Sequence, residues 1–349
     1  MQEQYPFNAA AALQYRLWQK RELQDLRRIS RAGGCALLFI CTMQLVLAIG
    51  LDVLREPAAR LIERYIPGSA DLFWNGLAAL LIGLFAVMPG ALLGLRMLTP
   101  AEHNFSLPFR RIPAPDVYAA SQPAPSPRFN TAKVVFAGAF LCFVGNVAST
   151  LIAAFAARYG YGFVGPEEVP SETTAEFLFM TLAIAFVPAI GEEVFFRGLV
   201  MQPLRRYGDG FALVCSALLF SILHQNMVQA PMAFCAGLAL GWAALKTGTL
   251  WAPILIHLWN NGASLVLLAL EKPLGDHANA AMPVYIVLLA ALGIGSLLSL
   301  MRRGGQRPRA PHPITAGTRA ANYFFGSPAM VVALLYMAAM LALGIQAKE

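Results

Sequence analysis

Residues 189–198 read AIGEEVFFRG, which places two adjacent carboxylates and an arginine inside a run of apolar residues. The surrounding segment, from Thr174 onward, otherwise has the composition of a membrane-spanning helix. A charged side chain at bilayer depth costs about 3 kcal/mol even on lenient insertion scales, so it normally faces a protein interior or a water-filled cavity. Glu192, Glu193 and Arg197 therefore mark a candidate functional site.

The composition of the whole chain indicates a polytopic membrane protein. Of its 349 residues, 58% are hydrophobic and 13% are charged, whereas a soluble domain carries roughly 25% charged residues. Working outward from residues 189–198, we find further apolar stretches of about the 20-residue length that a hydrocarbon core requires. Together the stretches cover residues 34–54, 72–97, 133–157, 174–203, 210–226, 229–246, 249–270, 280–301 and 328–346. We expect an all-α bundle of about nine transmembrane helices, of which the fifth and sixth are the shortest.

The distribution of basic residues predicts the orientation of this bundle. Lys and Arg accumulate in residues 1–32 and in the loops after the second, fourth, sixth and eighth apolar stretches. The positive-inside rule places these loops, and hence the N-terminus, in the cytoplasm. We expect a multi-pass protein, most simply of a bacterial inner membrane. Because topology and anionic lipid headgroups explain the net charge of +7, no nucleic-acid partner is inferred.

Two segments rich in proline or glycine divide the chain. Residues 106–127 and 304–317 are predicted to be extended linkers. The expected regions are a basic segment at 1–32, two spans with a Pro-rich linker at 33–130, a functional core at 131–301, and a basic linker with a final span at 302–349. The sequence of the basic segment is compatible with an amphipathic helix at the membrane interface and with a solvated tail.

The charged residues of the central stretch form the first of three pairings that carry chemistry. Glu193 and Arg197 lie four residues apart, so they share a helical face and can form an ion pair. Glu192 is rotated about 100° away from Glu193 by the 3.6-residue helical period. Glu192 is therefore free for another partner, as a general base requires.

Two histidines in later apolar stretches supply the other pairings. His224 follows Phe220 by one helical turn, and His257 precedes Asn261 by the same spacing. Counted at ~1.5 Å per residue from the expected cytoplasmic helix ends, Glu192, His224, His257 and Asn261 lie about 12–21 Å deep. A similar depth in the membrane is a necessary condition for these four residues to form one site.

The ordered motifs EExxxR, FxxxH and HxxxN on successive spans resemble those of the CPBP family, which contains the CAAX proteases and bacteriocin-processing enzymes and is also called the Abi family. The resemblance covers residues 131–301. The positions that carry it are Glu192, Glu193, Arg197, Phe220, His224, His257 and Asn261.

The resemblance implies a function as well as a fold. It implies an eight-helix-type intramembrane peptidase core that hydrolyses a peptide or membrane-protein substrate without a metal cofactor. Glu192 and His224 would activate a water molecule, while His257 and Asn261 would form the oxyanion site. Glu193 and Arg197 would organise the first motif.

Other functions use the same residues. Glu192, His224 and His257 are a possible catalytic zinc set, because two imidazoles and a carboxylate leave one coordination position open. A non-catalytic membrane scaffold or immunity protein could keep the same fold. A transporter could use a buried carboxylate and histidine to relay protons. The metal-free endopeptidase is our prediction, and zinc is the alternative cofactor.

Overall fold

The structure, a computed structural model, describes residues 9–98, 130–163, 171, 173–275, 278–302 and 317–347. The predicted linker at 106–127, and residues 304–316 of the second linker, lie outside these residues.

The described chain is almost entirely helical, which confirms the predicted all-α class. The helices are α1 (Ala9–Tyr65), α2 (Ala70–Leu98), α3 (Thr131–Arg158), α4 (Thr174–Tyr207), α5 (Asp209–Leu223), α6 (Ala230–Thr247), α7 (Trp251–Leu274), α8 (Ala278–Arg302), α9 (Gly317–Phe325) and α10 (Pro328–Leu343). The strands β1 (Tyr161–Phe163) and β2 (Ile345–Ala347) form a short antiparallel pair.

By length and composition, six of these helices can cross a membrane: α1, α2, α3, α4, α7 and α8. A seventh span arises if α9 and α10, which are bent by 81° relative to each other, count together. The two short apolar stretches correspond to α5 and α6, which have 15 and 18 residues and do not qualify. The chain is thus an integral multi-pass membrane protein, and the expected count of nine spans is approximate.

The first helix is much longer than one membrane crossing. Helix α1 has 57 residues, or about 85 Å at 1.5 Å per residue, whereas a hydrocarbon core is about 30 Å thick. It passes unbroken through residue 32, so the described part of the basic segment is helical.

Helix α4 carries the charged motif and packs against α2, α5 and α7. Its hydrogen-bonding pattern is π-helical over Thr181–Phe186 and again over Val194–Met201. Wider π turns inside α-helices are frequent at functional sites. The short α-helical stretch between them, Val187–Glu193, carries the buried Glu193 and the partly exposed Glu192.

Small residues allow the core helices to approach closely. A Cβ added at Gly237 of α6 would lie 2.8 Å from Cα of Ala217 in α5, and one at Gly145 of α3 would lie 2.6 Å from Cβ of Cys235. Small residues at helix contacts are the usual basis of tight packing in membranes. This packing surrounds α4 with protein on the side of its charged residues.

Candidate active site

The centre of the site is a fully buried ion pair. Nη1 of Arg197 donates to Oε1 of Glu193 at 2.9 Å, and both side chains are 0% exposed. Nη2 of Arg197 donates to the carbonyl oxygen of Gly237 at 3.1 Å. The structure thus contains the pair that the four-residue spacing predicts, and Arg197 also ties α4 to the tightly packed α6.

His257 joins this pair from helix α7. Its Nδ1 lies 2.9 Å from Oε1 of Glu193, and its Nε2 lies 3.9 Å from Oε2 of Glu192. The side chain of His257 is 6% exposed, whereas that of Glu192 is 20% exposed. The adjacent carboxylates therefore differ in environment: Glu193 is bound to two cationic or donor groups, and Glu192 stays accessible beside the imidazole.

Phe220 connects these groups to His224. Its ring centroid is 4.8 Å from that of His224 and 5.8 Å from that of His257, and the Arg197 guanidinium lies 4.7 Å from it. Within the described residues, His224 makes no direct hydrogen bond or ion pair with Glu192. The two residues to which the resemblance assigns water activation are thus not hydrogen-bonded to each other.

The hydrogen bonds of the two histidines place a hydrogen on Nδ1 of each ring. Nδ1 of His224 lies 2.8 Å from the carbonyl oxygen of Phe220, and an atom so placed must carry the hydrogen, since a carbonyl only accepts. Nε2 of His224 is then the basic nitrogen. In His257, Nδ1–H likewise donates to Glu193, which leaves Nε2 to face Glu192.

Asn261 is held by a carbonyl group of α4. Its Nδ2 donates to the carbonyl oxygen of Ile184 at 3.1 Å. The α-helical donor for that carbonyl would be the amide of residue 188, which is a proline and has no N–H. Asn261 thus supplies a hydrogen bond that Pro188 cannot supply.

Two further amides, which the sequence analysis did not identify, continue this contact. Nδ2 of Asn260 donates to Oδ1 of Asn261 at 3.2 Å, and Nδ2 of Asn146 in α3 donates to Oδ1 of Asn260 at 3.2 Å. Asn146 lies within the apolar stretch 133–157. Its position could have identified it, because a polar side chain in a membrane span usually has a partner inside the protein. This chain of amides links α3, α7 and α4 and fixes the orientation of the Asn261 side chain.

The arrangement can also be tested against a metal site. In the part of the chain that the structure describes, no group of three His, Cys, Asp or Glu side chains is placed to hold a metal ion. Nδ1 of His224 and of His257 is engaged with an oxygen acceptor, so Nε2 is the atom of each imidazole that would be left to bind a metal. Zinc therefore stays the alternative cofactor.

Comparison with known proteins agrees with the motifs. Residues 174–263, which are 90 of the 349 residues, match the family model described as type II CAAX prenyl endopeptidase Rce1-like. The matched segment includes every motif position from Glu192 to Asn261. The resemblance to the CPBP family is confirmed over this segment and supports a CAAX-type intramembrane protease. Searches of curated proteins and of solved structures gave no match.

The bond between Asn261 and Ile184 leads to a test of its structural role. We expect Asn261→Leu to lower the free energy of unfolding by about 1 kcal/mol, because the carbonyl of Ile184 loses a partner. In a Pro188→Ala background the same substitution should have a smaller effect, since an amide N–H becomes available at residue 188. Thermal unfolding of the four proteins in one detergent measures the difference. Equal effects in both backgrounds would contradict this role.

Proposed function

We propose that this protein is an intramembrane endopeptidase in which Glu192 acts as the general base. One observation carries the proposal: of two adjacent carboxylates, Glu193 is bound by Arg197 and His257 in full burial, while Glu192 remains partly exposed beside His257. A structural ion pair needs only one carboxylate. The second keeps 20% of its side chain exposed, and this is the side from which water and substrate are proposed to approach.

The proposed reaction is the direct hydrolysis of a peptide bond. Glu192 takes a proton from water, and the resulting hydroxide attacks the scissile carbonyl carbon to give a tetrahedral oxyanion. The C–N bond then breaks, and the leaving nitrogen receives a proton. Nε2 of His224 carries no hydrogen, because Nδ1–H is donated to the Phe220 carbonyl. It is therefore suited to orient the water, then to accept the proton from Glu192 and deliver it to the leaving nitrogen. General acid and base groups of this kind typically contribute about 10²–10⁴-fold each.

His257 and Asn261 are proposed to stabilise the oxyanion. To donate to the oxyanion, Nε2 of His257 must carry a hydrogen as Nδ1 does. The carboxylates of Glu193 at Nδ1 and of Glu192, 3.9 Å from Nε2, together face the positive charge that results. Asn261 has two amide hydrogens, and its bond to Ile184 uses one of them. Donors positioned in a dry site contribute about 3 kcal/mol each to the stabilisation of such a charge.

The substrate proposed is a peptide or a membrane protein that is cut near the cytoplasmic leaflet, with the N-terminus of the enzyme in the cytoplasm. The matched family description contains the words CAAX prenyl endopeptidase, so a prenylated peptide is one substrate to compare with unmodified peptides. A bacterial inner membrane is the proposed location.

The function can be tested on purified protein in detergent with a library of fluorogenic peptides and a prenylated peptide. We expect cleavage that survives a strong chelator, because the proposed mechanism uses no metal ion. Loss of cleavage with the chelator and its return with zinc would instead support Glu192, His224 and His257 as ligands. No cleavage of any peptide by folded protein would favour the scaffold.

A further inference from the structure

A cavity of about 580 Å³ lies away from the motif residues, where α1 meets α9 and α10. Its lining contains two arginines and, among the residues that the structure describes, no carboxylate. The lining residues are Arg27, Arg31, Asn322, Tyr323, Gly326, Ser327 and Pro328. We propose that this cavity binds the phosphate of an anionic phospholipid headgroup. The proposal does not depend on peptidase activity.

The position of the cavity fits the headgroup region of a bilayer. Arg27 and Arg31 precede the apolar stretch of α1 that begins at residue 34, and Pro328 begins the apolar helix α10. Two neighbouring helices therefore enter the hydrocarbon at the level of the cavity. Helix α9 turns away from α10 by 81° and carries Tyr323, an aromatic residue of the kind enriched at membrane interfaces.

The two arginines are available to an anion. Both are exposed, and among the described residues neither forms an ion pair with a carboxylate. The guanidinium of Arg27 lies 4.8 Å from the ring centroid of Tyr323, which orients it. A guanidinium donates two parallel hydrogen bonds to a phosphate. The first turn of α10 adds the positive end of a helix dipole.

The walls of the cavity are held together by buried contacts. The Ser30 hydroxyl bonds to the carbonyl oxygen of Phe324 and lies 2.7 Å from Oγ of Ser327. Oγ of Ser327 also accepts from the amide of Met330, which caps α10. A Cβ added at Gly34 would lie 2.4 Å from that same amide nitrogen. The bend between α9 and α10 is thus fixed against α1, and the site is formed in advance of binding.

The surroundings favour a lipid over a soluble phosphate. Just beyond the cavity, α10 exposes Val331, Val332 and Leu335, at 39%, 53% and 66%. Apolar side chains below a basic site suit acyl chains that continue from a bound headgroup. Anionic lipids are also concentrated in the cytoplasmic leaflet, the side on which the basic residues are expected to lie.

The test compares two double variants of the full-length protein in neutral detergent. Arg27→Gln with Arg31→Gln removes both cavity arginines, and Arg16→Gln with Arg21→Gln removes the same charge from exposed positions of α1 outside the cavity. Native mass spectrometry and thermal unfolding, with phosphatidylglycerol, phosphatidylcholine or inorganic phosphate added, measure binding. We expect phosphatidylglycerol to bind the wild type and the control equally, and the cavity variant about tenfold or more weakly.

Equal binding by both double variants would overturn the proposal. Inorganic phosphate that stabilises the wild type as much as phosphatidylglycerol does would overturn the lipid assignment. If the cavity variant does not fold, Asn322→Asp places a negative charge on the exposed cavity wall without removing an arginine. That variant should also bind phosphatidylglycerol more weakly, and unchanged binding would refute the site.

Discussion

Glu192→Gln is expected to lower the rate of peptide cleavage by about 10²–10⁴-fold, because an amide cannot take the proton from water. The fold should be unaffected, since Glu192 makes no hydrogen bond within the described residues and is 20% exposed. Initial rates at saturating peptide, together with thermal unfolding of the same preparations, measure both effects. The free energy of unfolding should change by less than about 0.5 kcal/mol.

The neighbouring carboxylate provides a matched control. Glu193→Gln makes the same chemical change one residue further along, where the side chain is 0% exposed and bound to Arg197 and His257. This variant should lose stability as well as activity. If Glu192→Gln destabilises the protein as much as Glu193→Gln does, the separate roles assigned to the two carboxylates are wrong.

Arg197→Met is expected to lower the free energy of unfolding by about 3–5 kcal/mol. The substitution leaves the carboxylate of Glu193 buried without its cation, and breaking one side of a buried pair is strongly destabilising. It also removes the hydrogen bond to the Gly237 carbonyl. Thermal or denaturant unfolding in a single detergent provides the measurement.

A double variant separates the effect of the unpaired charge of Glu193 from the effect of the lost packing of Arg197. Glu193→Gln combined with Arg197→Met removes both members of the pair, so no isolated charge of that pair remains buried. The double variant should therefore be more stable than Arg197→Met alone, although His257 loses a charged partner. A double variant that is less stable by the sum of the single effects would contradict an ion pair between these residues.

Local spacing was sufficient to predict the central pair. Glu193 and Arg197 are four residues apart, and helical geometry alone brings them together. The resemblance and a common depth assigned His257 to the same site as the carboxylates, but they did not predict its contact with Glu193, because no local rule relates residues on α4 and α7. The hydrogen bond from Arg197 to the carbonyl oxygen of Gly237 could not be predicted from the sequence, because every residue has a carbonyl oxygen. Arg197 meets this one because α6 packs close to α4.

Two other features of the fold could not be predicted from local sequence patterns, because they also depend on contacts between helices. Pro188 shows that the carbonyl of Ile184 loses its α-helical donor, but Asn261 becomes its partner only through the packing of α7 against α4. Helices α5 and α6 read as spans because they are apolar, although burial inside the protein accounts for much of that character. Among residues 212–223 of α5, for example, eight side chains are buried.

The central claim is that Glu192 activates water for peptide hydrolysis. Its most direct test measures cleavage of the fluorogenic peptide library and the prenylated peptide by purified wild type and Glu192→Gln side by side, in one detergent and at equal concentration of folded protein. The account predicts cleavage by the wild type and a rate at least about a hundredfold lower for the variant. Equal cleavage by the two proteins would contradict it.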